Sequence, residues 1–135
     1  YGDEVGLWGS DDPNNRKPML WEDLQPWDEP GMEVMPGHLA FYRRAIAIRN
    51  EYAPLRRGPI ETVPTDDEQD TWVFVREFHG QRVLVALTAG DERAVLAMPE
   101  SLGNEWTRVL VEPGEVDGGW PDIHVPAVGG VVWVK

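Results

Sequence analysis

The sequence predicts a mainly β fold: an irregular N-terminal loop, one α-helix, then an antiparallel β-sandwich. Three observations carry that reading. Residues 1–37 show neither a helical nor a strand period and are dense in Gly, Pro, Trp and carboxylates. Residues 38–53 carry apolar side chains at steps of three and four, the spacing of a helical face. From residue 59 the period falls to two, in short runs parted by Gly-containing turns, the signature of short strands.

The opening stretch "GDEVGLWGSDDPNNRKPMLWED", residues 2–23, sets the functional question. Long irregular segments are uncommon in compact domains unless they do functional work. The helix comes next. After Pro36-Gly37, "HLAFYRRAIAIRNEY" places Leu39, Tyr42 and Ile46, with Phe41, Ala45, Ile48 and Tyr52, on a broad apolar surface. Such a helix is expected to pack against more than one neighbour, with Arg43, Arg44 and Arg49 on the remaining face. Pro54 should end the run by removing an amide donor, and Gly58 should complete the exit.

The strands follow. "ETVPTD" (61–66) reads as a first edge strand, where Pro64 is tolerated. "TWVFVREF" (71–78) sends Trp72, Phe74 and Phe78 one way and Val73 and Val75 the other. Gly80-Gln81 is expected to turn into "RVLVALTAG" (82–90), and Gly90-Asp91 into "RAVLAMP" (93–99). "WTRVLVEPG" (106–114), "DIHVPA" (122–127) and "GVVWVK" (130–135) supply three more strands. Runs apolar on both faces argue for a sandwich. Its core is expected to include Trp72, Phe74, Leu84, Val109 and Val132.

Composition narrows the function classes. At 135 residues, with 41% hydrophobic residues and seven Trp, the chain has the content of a folded domain. A net charge of −12 argues against nucleic acid or an anionic membrane surface as partner. The absence of Cys excludes disulfides, thiol catalysis and thiolate metal sites. No apolar run reaches the length of a membrane span. The chain begins without Met and inside a motif, so a preceding segment is expected and the compartment stays open. Charge is uneven: residues 1–37 hold nine acids and two bases, 38–58 five Arg and one Glu, and 59–135 fourteen acids and five bases.

Metal and cofactor signals are absent. No second His lies at ligand spacing from His38, His79 or His124. The run "DDEQD" (66–70) lacks the periodic oxygens and central Gly of a calcium loop and reads as a solvated loop.

The motifs "YGDEVG" and "DDPNNRKPMLW", the helix "FYRRAIAIRNEYAPLRRG" and the strands "VFVREFHGQRVLVALTAG" together carry a resemblance. At this spacing they are similar to the C-terminal end of an α-amylase-family glycoside hydrolase (family thirteen), nearest its neopullulanase, cyclomaltodextrinase and maltogenic amylase branch. The likeness runs over nearly the whole chain. It implies that Tyr1-Gly2 end the eighth strand of a (β/α)₈ barrel and that residues 3–37 form the loop after it. Residues 38–53 would be the eighth barrel helix, 1–58 the end of the catalytic barrel, and 59–135 a C-terminal β-sandwich domain. Loops following barrel strands form the catalytic face, so residues 3–37 would line a sugar-binding cleft.

Carboxylates and Arg suit sugar hydroxyls through charge-assisted hydrogen bonds, and Trp faces suit the C–H patches of a pyranose ring. Asp12 and Arg16 match "DP-x-x-R" positions that, by the resemblance, bind glucose hydroxyls on the non-reducing side of the scissile bond. Their bland alternative is an ion pair that holds the loop around Pro13. Asp3 and Glu4, near the catalytic centre, are expected to hold the loop rather than touch substrate. Trp8, Trp21 and Trp27 are each weighed as a sugar platform against the commoner role of packing anchor, and Trp8 is taken as the candidate platform. Thr88 departs from the Asn commoner at that strand position in the family, which puts a turn contact in question.

Retaining glycosidases need two carboxyl groups about 5 Å apart across the scissile bond. By the resemblance, the Asp nucleophile, the Glu acid/base and a third Asp lie on earlier barrel strands, and none of those motifs occurs here. No catalytic, metal or cofactor residue is therefore assigned, and the segment alone is expected to be inactive. Its partner would be an α-glucan oligosaccharide, met through the rest of the barrel, and the broad apolar helix invites self-association. The alternative is an autonomous carbohydrate-binding or protein-interaction sandwich. Such a module should display coplanar aromatics on an exposed face, whereas Trp72, Trp106 and Trp133 lie in apolar runs that read as buried, and Trp120 alone has a clear loop setting.

Overall fold

A computed structural model describes residues 1–27, 33–63 and 67–135, with the side chain of Asp67 left aside. The chain divides into two compact units, Tyr1–Ile48 and Arg49–Lys135.

In the first unit, a single 3₁₀ turn (Asp3–Val5) stands between Gly2 and Gly6, both left-handed at φ 89° and 71°. Gly6 has no substitute here, because a Cβ would lie 2.3 Å from the Met35 side chain. The Met35 amide donates to the Val5 carbonyl at 3.0 Å, so the loop returns to its own start. Val5 and Leu20 are its buried apolar residues. Helix α1, His38–Glu51, then begins. Its expected multiple packing is not observed. Only Ile48 is buried, while Phe41, Tyr42 and Ile46 are exposed.

Pro54 does more than end that helix. It opens a second, four-residue helix α2, Pro54–Arg57, since Pro suits a first helical turn whose amides lack partners anyway. Arg56 donates to the carbonyls of Arg49 (2.7 Å) and Asn50, satisfying orphan acceptors at the end of α1. Among the described residues no helix is long and apolar enough to cross a membrane.

Among the described residues seven antiparallel strands follow: β1 Ile60–Val63, β2 Thr71–Phe78, β3 Gln81–Thr88, β4 Ala94–Ala97, β5 Thr107–Glu112, β6 Asp122–Val125 and β7 Gly129–Val134. They form a five-stranded sheet ordered β1-β2-β3-β7-β5 and a two-stranded sheet of β4 and β6. The fold is mainly β, as the period-two pattern predicts, with unequal sheets. Val73, Val75, Leu84, Ala86, Val131 and Trp133 of the large sheet share one core with Ala94, Leu96, Ile123 and Val125 of the small one. β1 is an edge strand, as expected; Pro64 to Asp66 of its predicted span lie outside the described residues.

Four strand-level expectations are corrected. The β2 core face is the Val73/Val75 face, at 0% and 3% exposure, whereas Trp72 is 46% exposed and Phe74 half-buried. Both faces of β2 are apolar, so alternation separated the two sets without saying which turns inward. Val109 is only half-buried because a bulge between Arg108 and Leu110 takes it out of register with β7. Leu84 and Val132 are buried as expected. The β2–β3 turn is His79-Gly80, with both φ values positive (52° and 80°) as a tight hairpin requires, and Gln81 is already in β3. Finally, Gly90-Asp91 makes no hairpin: β4 leaves the large sheet and pairs with β6.

The outer end of the large sheet is closed by α2. Arg76 and Val83 stand opposite each other across β2 and β3. The Arg76 guanidinium donates to the carbonyls of Gly58 (2.8 Å from Nε) and Leu55 (2.6 Å). That grip fastens α2 over Val83, and both Val83 and Pro54 are fully buried. Leu84→Ala should lower unfolding stability by about 2–5 kcal/mol, and Trp72→Ala by less than half of that. Urea unfolding of both variants checks the assignment, and the reverse order would show that the sheet faces are exchanged.

Candidate functional site

The loop of the first unit gathers the residues singled out from the sequence. Asp11 starts a turn in which the Asn14 amide donates to the Asp11 carbonyl (2.8 Å) and the Arg16 amide to the Pro13 carbonyl (3.2 Å). That turn brings the Arg16 guanidinium to 2.9 Å from the Asp12 carboxylate, with both side chains more than 60% exposed. An ion pair this exposed contributes about 0–1 kcal/mol to stability, so holding the loop is a weak reason for its presence. Both groups stay largely open to solvent.

Trp8 is 65% exposed, and the Lys17 ammonium lies 4.1 Å from its ring centroid. The Tyr1 hydroxyl donates to the Lys17 carbonyl. Trp27 behaves as an anchor, its indole N–H donating to the Trp21 carbonyl at 3.0 Å, while the Trp21 ring stays 57% exposed. Asp3 is exposed on the 3₁₀ turn, and Glu4 is half-buried.

A cavity of about 680 Å³ opens behind this loop. Val5, Leu20 and Leu39 line it with Glu4, Trp21, Glu22, Asp23 and Arg43. It joins Glu4 to Trp21, and neither Asp12, Arg16 nor Trp8 contributes to it. Glu22 and Asp23 were not singled out from the sequence. Nothing in their spacing marks them, because only the second 3₁₀ turn, Glu22–Leu24, brings them there. Among the described residues, no three His, Asp or Glu side chains come together to hold a metal ion.

In the second unit, Thr88 resolves the turn contact that its sequence departure put in question. Its buried hydroxyl donates to the Gln69 carbonyl (3.3 Å) and accepts from the Gly90 amide (3.0 Å). Trp120 lies on the core rather than in solvent, stacked on Trp106 at 5.1 Å and edge-on to Trp133 at 6.2 Å. The loop that carries it is fixed by Asp117, whose carboxylate meets Arg93 at 2.5 Å and the His124 Nδ1 at 3.1 Å. The hydrogen bond from His124, and then the charge of Arg93, hold the Asp117 carboxyl below its usual range.

No protein-family model matches the chain. Its curated relatives are α-glucan-acting enzymes. It is 33% identical to neopullulanase 2 of Thermoactinomyces vulgaris over 138 residues, covering 98% of this chain and 22% of that protein. It is 30% identical to a cyclomaltodextrinase of Geobacillus thermopakistaniensis, covering 78% of this chain and 17% of the relative. Among solved structures, a cyclic α-maltosyl-(1→6)-maltose hydrolase of Arthrobacter globiformis superposes with a TM-score of 0.68 at 25% identity, over 100% of this chain and 26% of the neighbour. The chain therefore spans about a fifth of the length of the curated relatives it matches. By sequence it belongs to the α-amylase family of glycoside hydrolases, and its mainly β fold is that of solved amylases.

A carboxyl whose pKa is lowered in the folded protein stabilises the fold above its unfolded pKa, and that contribution is lost as pH falls through the folded value. Wild-type stability should thus decline between about pH 5 and pH 2 by a component that Asp117→Asn lacks. Thermal unfolding of both proteins across that range checks it, and parallel acid limbs would show that Asp117 contributes nothing.

Proposed function

We propose that the chain is the C-terminal segment of an α-glucan hydrolase or transglycosylase. In this reading residues 1–58 complete the (β/α)₈ barrel, with residues 3–37 as one wall of the sugar cleft and α1 as its last helix. Residues 59–135 form the C-terminal domain. The observation that carries the reading is coverage: similarity to neopullulanase 2 runs along 98% of this chain yet spans 22% of that protein. The exposed apolar positions of α1, Phe41, Tyr42 and Ile46, agree with it, since barrel helices bury such positions against neighbouring helices. In the isolated chain the same positions favour self-association.

The parts divide as follows. Arg16 donates to and Asp12 accepts from glucose hydroxyls beyond the scissile bond, Trp8 offers a ring face to a pyranose, and Asp3 and Glu4 hold the loop near the centre. The nucleophile and acid/base come from outside this sequence, so the segment has no chemistry of its own. Remote contacts of this kind use binding energy to position the substrate for reaction elsewhere. The module reading has one observation in its favour, the exposed Trp72. Its ring is 4.6 Å from that of Phe74 but tilted by 41°, so the pair is not the flat platform a glycan-binding sandwich presents.

The purified chain should release no reducing sugar from maltooligosaccharides above background, and steady release by protein free of host amylase would overturn the segment reading. In the intact enzyme, Arg16→Ala should lower kcat/KM on long α-glucans by about 2–3 kcal/mol, the scale of a charge-assisted hydrogen bond. A substrate too short to reach that subsite should lose much less. An equal loss at every chain length, with lowered thermal stability, would make the pair structural.

A further inference from the structure

We propose that Lys17 is a positioning residue that presets Trp8 as a one-sided platform for an α-glucan, a role that rests on the glucan-binding reading of this loop. The geometry is local. Residues 8 and 9 run back alongside 14–17, so closely that a Cβ on Gly9 would lie 3.0 Å from the Asn15 Cα. Across that turn the Lys17 ammonium lies over the Trp8 ring, 4.1 Å from its centroid, within the distance at which a cation is held by an aromatic face. At its other end, Lys17 is fastened through its carbonyl to the Tyr1 hydroxyl. A surface lysine otherwise samples many rotamers; this one is held at both ends and is half-buried.

The consequence falls on Trp8. One face of its indole is occupied by the ammonium, yet 65% of the residue remains exposed. That exposure therefore belongs largely to the opposite face and the ring edge. A pyranose stacks on the open face without displacing the cation. Arg16 directly precedes Lys17 and carries the Asp12 pair, so the clasp and the hydroxyl-binding pair belong to one turn. Fixing Lys17 fixes the platform relative to that pair, and ordering lost before binding is not lost again on binding.

The test is an NMR titration, with maltoheptaose, of the intact enzyme with its nucleophile disabled and its Lys and Trp residues isotope-labelled, comparing the wild-type loop with Lys17→Met, Lys17→Arg, Trp8→Leu and Arg16→Ala. Ring-current shielding should move the Lys17 ε-methylene signal upfield, and Trp8→Leu should return it to its ordinary position. Maltoheptaose should perturb the Trp8 indole N–H while leaving the Lys17 methylene shielded. Binding should weaken roughly fivefold or more in Lys17→Met and recover most of that in Lys17→Arg, whose guanidinium also stacks on an indole. An unshielded Lys17 methylene, or equal binding by Lys17→Met, overturns the positioning role. So does loss of the shielding on titration, which would mean that the sugar takes the cation's face. Binding by the wild type that Arg16→Ala weakens, with no effect of Lys17→Met, overturns this inference alone; no binding by any of the proteins overturns it together with the glucan-binding reading.

Discussion

The register of β2 is the constraint on which the second unit depends. Val73 pairs with Val63 on one side and Ala86 on the other, and Val75 pairs with Leu84. These inward residues meet Ile123 and Val125 of the small sheet. A slip of one residue would turn Trp72 and Phe74 into that space and Val73 and Val75 out of it. Two valines fill their share of a core that already holds Trp106 and Trp133, where two further rings would overpack it. The aromatic side of β2 is thereby committed to the outer face, which α2 covers only at the Arg76–Val83 end.

Much of this was legible in the sequence, and the gaps have physical causes. The helix over residues 38–51 and the strands after residue 59 follow from periods of 3.6 and two. The pairing of β4 with β6 was not legible, because a Gly-Asp turn looks alike whether the chain returns to its own sheet or crosses to the other. Nor was the short helix at Pro54, where one residue both stops α1 and starts α2. Val109 was lost to a bulge, which adds a residue without changing the apolar pattern.

The loop shows the opposite balance. No period describes it, yet its motif named Asp12 and Arg16 and its aromatic content offered Trp8, and the structure puts the first two in an exposed ion pair and leaves the third exposed beside Lys17. Glu22 and Asp23, by contrast, reach their cavity through a 3₁₀ turn that carries no motif. Residue chemistry marked the groups that could touch a sugar, while the backbone bonds from Met35 to Val5 and from Arg16 to Pro13 decide how they are presented. Both members of the ion pair are exposed, and a pair so exposed stabilises the loop little.

The central claim is that this chain supplies a wall and a supporting domain for chemistry performed by residues outside it. Reading the coding sequence immediately upstream of the Tyr1 codon tests that most directly. The account predicts in-frame codons for the earlier strands and helices of a (β/α)₈ barrel, including an Asp nucleophile and a Glu acid/base. A stop codon or an unrelated domain directly before Tyr1 would contradict it.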